Sequence, residues 1–323
     1  MNLQTKALYN LFRLNVQEES DSTVEPWAIE DLRLLSLDQL FARLAGLGLD
    51  LDKRRFASFA EPCDSPEELM DILCEEGEDP KKNDPIYLVV FELWRRLIPE
   101  KQPLSIFCDE LDHRIFLYDR DLLESDEPIQ DALANLKEIL DENIDAGAKP
   151  FELFEGISHF CAHDIEGFLY DYVSELLDSD NTIYATELVD EFTPFLAEPV
   201  WFDFLRARIT SVTDPARANA QIASILDRHP KMDAVFLFEI IRFLAVSGEH
   251  PLFIALVQKI LSQMETEEEF QELMEITADY YRRRDKDDVE SAIERIMKKR
   301  QANSSSVFSL ADPDLRTFAK SLV

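Results

Sequence analysis

Glycine is scarce in this chain, with 7 in 323 residues against an average usage of about 7%, and no two glycines are adjacent. Loops that cradle phosphates or nucleotides rely on glycine, because only a residue without Cβ lets the backbone approach a ligand closely. The chain accordingly carries no G-x-G-x-x-G fingerprint, no Walker-type loop and no G-x-S-x-G elbow. Long apolar runs are missing too. The greasiest stretch, Ala234 to Val246, is interrupted by Glu239 and Arg242 and falls short of the ~20 residues that a bilayer requires. Met1 to Val16 carries Lys6 and Arg13 without an unbroken apolar centre, which does not read as a signal peptide. Cysteine is sparse: Cys63, Cys74, Cys108 and Cys161 lie scattered with no C-x-x-C. That pattern predicts reduced thiols and a cytoplasmic location.

Positive charge is also in short supply. Lys plus Arg number 33 against 66 Asp plus Glu, for a formal net charge of −33. Such a field repels a phosphate backbone, whose binding needs cations to displace counterions. Nucleic acid and anionic membranes are therefore poor partners, whereas a basic protein segment is favoured because opposite fields speed encounter. What the chain does have is apolar bulk. Hydrophobic residues make up 46%, including 22 Phe, enough to fill a core and to exclude global disorder.

Helix-start signals recur along the whole length. Ser36-Leu-Asp-Gln39, Ser65-Pro-Glu-Glu68 and Thr266-Glu-Glu-Glu269 each fit the capping box, in which an N-cap hydroxyl and an N3 carboxyl or amide satisfy two orphan N–H groups. Pro66, Pro128, Pro150, Pro199, Pro215, Pro230 and Pro251 stand where a first helical turn tolerates a missing N–H. Gly77, Gly147 and Gly248 follow periodic segments as C′ residues would. In the first half these signals predict helices over Leu3–Val16, Pro26–Leu35, Leu37–Leu47, Pro66–Glu75, Pro85–Leu97 and Pro103–Leu123. An exposed loop is expected from Glu75 to Pro85 and an acidic break at Glu124–Pro128.

The second half is more regular. Helix starts near Asp214, Lys231, Pro251, Thr266 and Asp287 place alternate starts about 35 residues apart. Phe270, Leu273, Met274, Thr277 and Tyr281 form one apolar stripe, and Val289, Ile293, Ile296 and Met297 another. In this spacing, over residues 180 to 302, the chain resembles helical-hairpin repeat proteins of the tetratricopeptide or HEAT type, although the tetratricopeptide Trp-Leu-Gly-Tyr consensus is absent. The expected fold is all-α, with stacked antiparallel helical hairpins and a less regular helical N-terminal domain. The expected domains are 1–125, 126–302, and a spacer and tail over 303–323 that begins with Asn303-Ser-Ser-Ser306.

Residues with metal-ligand chemistry gather at Glu155, His159, Cys161 and His163. On one continuous helix counted from Phe151, the stripe Phe151, Phe154, Ile157, Cys161, Ile165, Phe168 and Tyr172 takes one face. His159 and His163 then take the opposite, solvated face. Two His at i and i+4 can share a metal, but on a solvated face both would contribute little to stability. Cys161 and its flanking His residues point about 160° apart on such a helix, so Cys161 reads as a small core residue. The pair His163-Asp164, followed by Ile165, resembles the dyad of HD-domain phosphohydrolases, which are all-helical metal enzymes. That resemblance implies His163 and Asp164 as ligands together with an upstream His, for which His113 stands, and a distant Asp. Glu166-Gly167 replaces the family's Gly-Lys. Glu110-x-x-His113 matches half of a di-iron carboxylate motif whose other half is absent.

Two features remain. The basic concentration Arg282-Arg-Arg284, Lys286 and Lys298-Lys-Arg300 reads as solvated helix ends, or as a contact with acidic residues of a partner or of this chain. Ser321-Leu-Val323 ends the chain in a form that a PDZ domain could take as an added strand, or that a docked terminal helix would explain. With no catalytic constellation assembled, the expected function is a non-enzymatic, acidic scaffold, adaptor or chaperone-like binder without a cofactor. Its partner would be a protein with a basic or amphipathic segment. The alternative is a metal-dependent HD-type phosphohydrolase using His113, His163 and Asp164.

Overall fold

A computed structural model describes residues 4–18, 25–74, 80–301, 309 and 312–322. Among them there is no β-strand, and the chain is all-α. No helix among the described residues is long and apolar enough to cross a membrane. The chain forms two compact units, Met1–Leu169 with Pro194–Ala197, and Tyr170–Thr193 with Glu198–Val323.

The first unit holds α1 (Gln4–Glu18), α2 (Pro26–Ile29), α3 (Leu37–Gly46), α4 (Lys53–Ala60), α5 (Pro66–Leu73), α6 (Pro80–Leu97), α7 (Leu104–Tyr118), α8 (Glu127–Asp145), α9 (Pro150–Ser158) and the first turn of α10 (Ile165–Asp178). Its packing is irregular: α6 meets α3 and α5, while α7 meets α1 and α8. The expected helix over Pro26–Leu35 is instead α2 followed by a 3-10 turn at Leu32–Leu34, whose N-cap Asp31 accepts from the Arg33 N–H. Helix α4 carried no sequence expectation. Its start is marked by the Asp52 side chain accepting from the Arg55 N–H at 2.7 Å. Helix α6 begins at Pro80 rather than Pro85, so Pro85 sits inside it. There it forgoes one i→i−4 bond near the helix start. The acidic break at Glu124–Pro128 lies within this unit, between the packed helices α7 and α8.

The second unit continues with the rest of α10, α11 (Thr182–Phe192), α12 (Val200–Ser211), α13 (Pro215–Arg228), α14 (Ala234–Ser247), α15 (His250–Leu261), α16 (Glu267–Arg282), α17 (Asp287–Gln301) and α18 (Pro313–Ser321). Neighbours pair as α12 with α13, α14 with α15 and α16 with α17, and α14 touches both α12 and α16. This is the contact pattern of stacked helical hairpins. It explains why α14 is buried on nearly every side, through Phe236, Leu237, Phe238, Ile240, Ile241, Leu244 and Ala245. Aromatic rings fill the core between hairpins: Phe253 stacks on Tyr280 with centroids 3.7 Å apart, and Trp201 packs edge-on against Phe236 at 4.4 Å.

Local chemistry sets the helix ends. Both halves of the capping box form at Ser36/Gln39 and at Thr266/Glu269. At Ser65 only the hydroxyl half forms, because the Glu68 carboxylate takes the Asp64 N–H one residue earlier, at 2.8 Å. Pro66, Pro128, Pro150, Pro215 and Pro251 lie in first turns, whereas Pro199 is itself an N-cap and Pro230 lies in the turn before α14. Gly147 has the left-handed φ of +101° that a C′ glycine supplies. Gly248 is extended, and its requirement is steric: a Cβ there would come within 2.5 Å of the Leu244 carbonyl oxygen. Gly77 and the Asn303–Ser306 spacer lie outside the described residues.

Most of the basic run near the C-terminus is engaged with the chain's own acids, Arg282 with Glu290, Arg283 with Asp279 and Lys299 with Asp314, while Arg284 donates to the Gly248 carbonyl. Arg300 is buried; its Nε donates to Glu267 at 2.8 Å and its NH1 to Asp312 at 2.7 Å, while the guanidinium lies over the Phe270 ring. Arg300 thereby joins α16 and α17 to the N-cap of α18. The hydrogen bond from Arg300 holds the Glu267 carboxyl below its ordinary value. The tail is docked: Leu315, Phe318 and Leu322 are buried, and the Leu322 carbonyl accepts from the Tyr281 hydroxyl at 3.0 Å. Val323 lies outside the described residues. The stacked core gives a direct expectation. Phe253→Ala should lower unfolding free energy by about 3–5 kcal/mol in urea titration, while Val246→Ala on the exposed side of α14 should change it by less than about 0.5 kcal/mol. Equal effects at the two positions would contradict the packing.

Candidate functional site

Helix α7 is the least amphipathic of the longer helices in its unit, for it is buried around most of its girth by Ile106, Phe107, Cys108, Leu111 and Ile115. The same helix buries Asp109 and Asp112, each 3% exposed and separated by i, i+3 on one face. Ionised carboxylates survive such burial only when paired and fully hydrogen-bonded. Asp109 meets this condition through Lys6 Nζ at 2.9 Å, Asn10 Nδ2 at 2.9 Å and Arg33 NH2 at 2.5 Å. Burial alone would raise its pKa, but Lys6 and Arg33 outweigh that and hold the carboxyl well below the usual carboxylate range.

Asp112 is satisfied differently. It accepts from the backbone N–H of Ala162 at 2.9 Å, from the N–H of His163 at 3.1 Å and from Asn10 Nδ2 at 3.3 Å, and its Oδ1 lies 2.9 Å from His163 Nδ1. Asn10 therefore bridges the two acids. The network extends outward from Arg33 to Glu110 at 2.9 Å, and Arg95 forks onto Glu92 at 2.9 and 2.6 Å. Arg96 joins Glu92 and also donates to the carbonyls of Leu32, Arg33 and Leu35, pinning the 3-10 turn. Asp109, Asp112, Glu110 and Glu92 are thus matched in number by Lys6, Arg33, Arg95 and Arg96. Each of these four carboxylates faces donors of this chain, so the arrangement anchors α1, the 3-10 turn and α6 to α7.

This network changes the placement of the His cluster. The continuous helix expected from Phe151 to Tyr172 is two helices, α9 and α10, separated by a break at residues 159–164. Asp112 explains the break: its carboxylate gathers successive N–H groups that a helix would otherwise spend on i−4 carbonyls. His163 is therefore half-buried against Asp112 rather than on a solvated face, while His159 is exposed at the end of α9. Asp164 starts α10, its Oδ1 accepting from the Gly167 N–H at 3.1 Å. His113 sits half-buried on α7, where burial and the Arg33 charge push it below the ordinary imidazole value. The structure brings His163 to Asp112 and leaves Asp164 as a helix cap, and Glu110 faces Arg33 and Arg95 rather than a shared site with His113. Among the described residues, no three His, Cys, Asp or Glu side chains converge to hold a metal. Cys161 is half-buried, and its thiol and that of Cys108 both approach the Ile157 carbonyl, at 3.8 and 3.9 Å. The hydrogen bond between the Cys161 thiol and the Cys108 side chain, together with burial, favours the protonated form and pushes the Cys161 thiol far up. Sequence reasoning missed Asp109, Asp112, Asn10, Lys6 and Arg33. The available signal was a pair of acids spaced i, i+3 amid the apolar residues of I-F-C-D-E-L-D-H-R-I-F.

The second unit contains a cleft of about 380 Å³ between the start of α14, the end of α15 and the start of α16. Met232, Leu237, Phe238, Ile260 and Met264 form its apolar floor, and Asp233, Glu265 and Glu269 stand at its rim. Asp233 caps α14 through the Phe236 N–H at 2.7 Å, and Glu269 takes the N–H groups of Glu265 and Thr266, so both carboxylates are held in position. None of the lining residues is cationic.

No protein-family model, curated protein or solved structure matches the chain. For the break at residues 159–164, the geometry gives a sharp contrast. His163→Ala leaves part of a buried carboxylate unmatched and should cost about 1–3 kcal/mol in chemical denaturation, whereas His159→Ala should stay within about 0.5 kcal/mol. Equally small losses would return His163 to a solvated face.

Proposed function

We propose that this protein is an acidic helical interaction module, a non-enzymatic scaffold, adaptor or chaperone-like binder that receives a basic or amphipathic segment of a protein partner. The observation that carries this reading is the cleft of the second unit, whose methionine-rich apolar floor is rimmed by carboxylates and by no cation. Methionine adapts its unbranched side chain to differently shaped apolar partners. The rim carboxylates favour Lys or Arg flanking the inserted side chain. The overall charge of −33 accelerates encounter with such a segment and disfavours nucleic acid. Four cysteines, none in a disulfide, suit a reducing, cytoplasmic setting.

Electrostatic steering and apolar retention have different salt signatures. Attraction between exposed charges is screened beyond about 8 Å at physiological salt, whereas buried apolar contacts are not. A labelled helical peptide with Leu on one face and Lys on the other should associate at a rate that falls steeply with added salt, with dissociation changing little in stopped-flow fluorescence. Glu265→Lys should slow its association, and Met232→Gln should speed its dissociation. Equal binding by a peptide with Glu in place of Lys would overturn the reading.

A further inference from the structure

A second cleft, of about 250 Å³, lies in the first unit between the end of α6, the connection that follows it, α7 and α8. It is independent of the partner reading and has the opposite electrical character. Arg95, Lys101 and Arg114 line it, against Glu110 as the lone carboxylate. Glu110 is drawn toward Arg33 at 2.9 Å and Arg95 at 3.4 Å. Lys101 and Arg114 donate to neutral groups: Lys101 Nζ to the carbonyls of Glu61 at 2.8 Å and Cys63 at 2.6 Å, and an Arg114 Nη to the Pro128 carbonyl at 2.8 Å. Backbone carbonyls orient these cations without cancelling their charge. Ile98, Ile106, Phe107 and Leu111 lie behind them almost fully buried, so the surface the cleft presents is mainly polar.

In a chain with twice as many acids as bases, the oriented Lys101 and Arg114 form a local well for a negative ligand, whereas Arg95 is already matched by Glu92 and Glu110. The volume is just under the ~300–1,000 Å³ of pockets for drug-sized ligands, which suits a metabolite-sized molecule. The surrounding negative field disfavours polyanions and nucleic acid, which would extend beyond the cationic walls. We propose that this cleft binds a small organic anion, a carboxylate or phosphate monoester. The anionic group would be held by Arg114 and Lys101.

The probes are hexanoate, hexyl phosphate and the uncharged hexanol, titrated into the full chain by calorimetry and followed by thermal unfolding. At least one of the two anions should bind with one site per chain and raise Tm, and hexanol should do neither; the tighter anion identifies the head group. Arg114→Gln should weaken that binding about tenfold or more, the share of one charge-assisted hydrogen bond. Because Arg114 also holds the Pro128 carbonyl, a blocking variant provides a second arm. Asn135, an exposed residue at the cleft, is replaced in Asn135→Trp, which should abolish binding with helical circular dichroism unchanged. Equal responses to hexanol and to the anions, no binding of either anion, or anion binding that persists in folded Asn135→Trp would each overturn the proposal.

Discussion

Two carboxylates buried on one helix constrain the whole first unit. Asp109 and Asp112 sit on α7 with almost no exposure, and their desolvation would be prohibitive without partners brought from distant parts of the chain. Lys6 and Asn10 come from α1, Arg33 from the 3-10 turn, and the N–H groups of Ala162 and His163 from the break before α10. Each partner fixes a segment whose own packing is irregular. The network therefore supplies what stacked repeats supply elsewhere, namely a reason for each element to occupy one place. It also accounts for the narrow, only partly exposed strip that α7 keeps at Glu110, His113 and Arg114.

The same constraint shapes the exterior. A chain with 33 basic residues against 66 acidic ones uses several of its cations on internal pairs, with Arg33, Arg95 and Arg96 in the first unit and Arg300 in the second. Carboxylates dominate what remains at many exposed positions, including the rim of the methionine-lined cleft. Interior ion pairing and the acidic surface are two sides of one distribution. The cleft near Arg114 is the local exception, because two of its cations, Lys101 and Arg114, are held by carbonyls instead of acids.

Much of the fold was legible because helix ends are local. Asp214, Thr266 and the proline-marked starts of the second unit announce themselves within four residues, and the 3.6-residue stripes name the buried face of α16. The spacing of alternate starts reflects stacking, so the hairpin pattern could be read as well. What could not be read was long-range pairing. Nothing within ten residues of His163 signals that Asp112 will draw the backbone out of helix there, since the partners lie 51 positions apart in the chain. The buried ion network, drawn from α1, the 3-10 turn, α6 and α7, was invisible for the same reason. The one hint was acid on an apolar helix, which reads equally as a surface stripe until its neighbours are known.

The central claim is that Asp109 and its cations form one coupled structural anchor. A double-mutant cycle over Arg33→Gln and Asp109→Asn, read by chemical denaturation of the full chain, tests it most directly. Each single change should cost about 3–5 kcal/mol, because it strands a buried charge. The double variant should cost less than the sum by about 1–3 kcal/mol, since the stranded partner is then gone. Small losses that simply add would show that the two residues act independently, and would contradict the account.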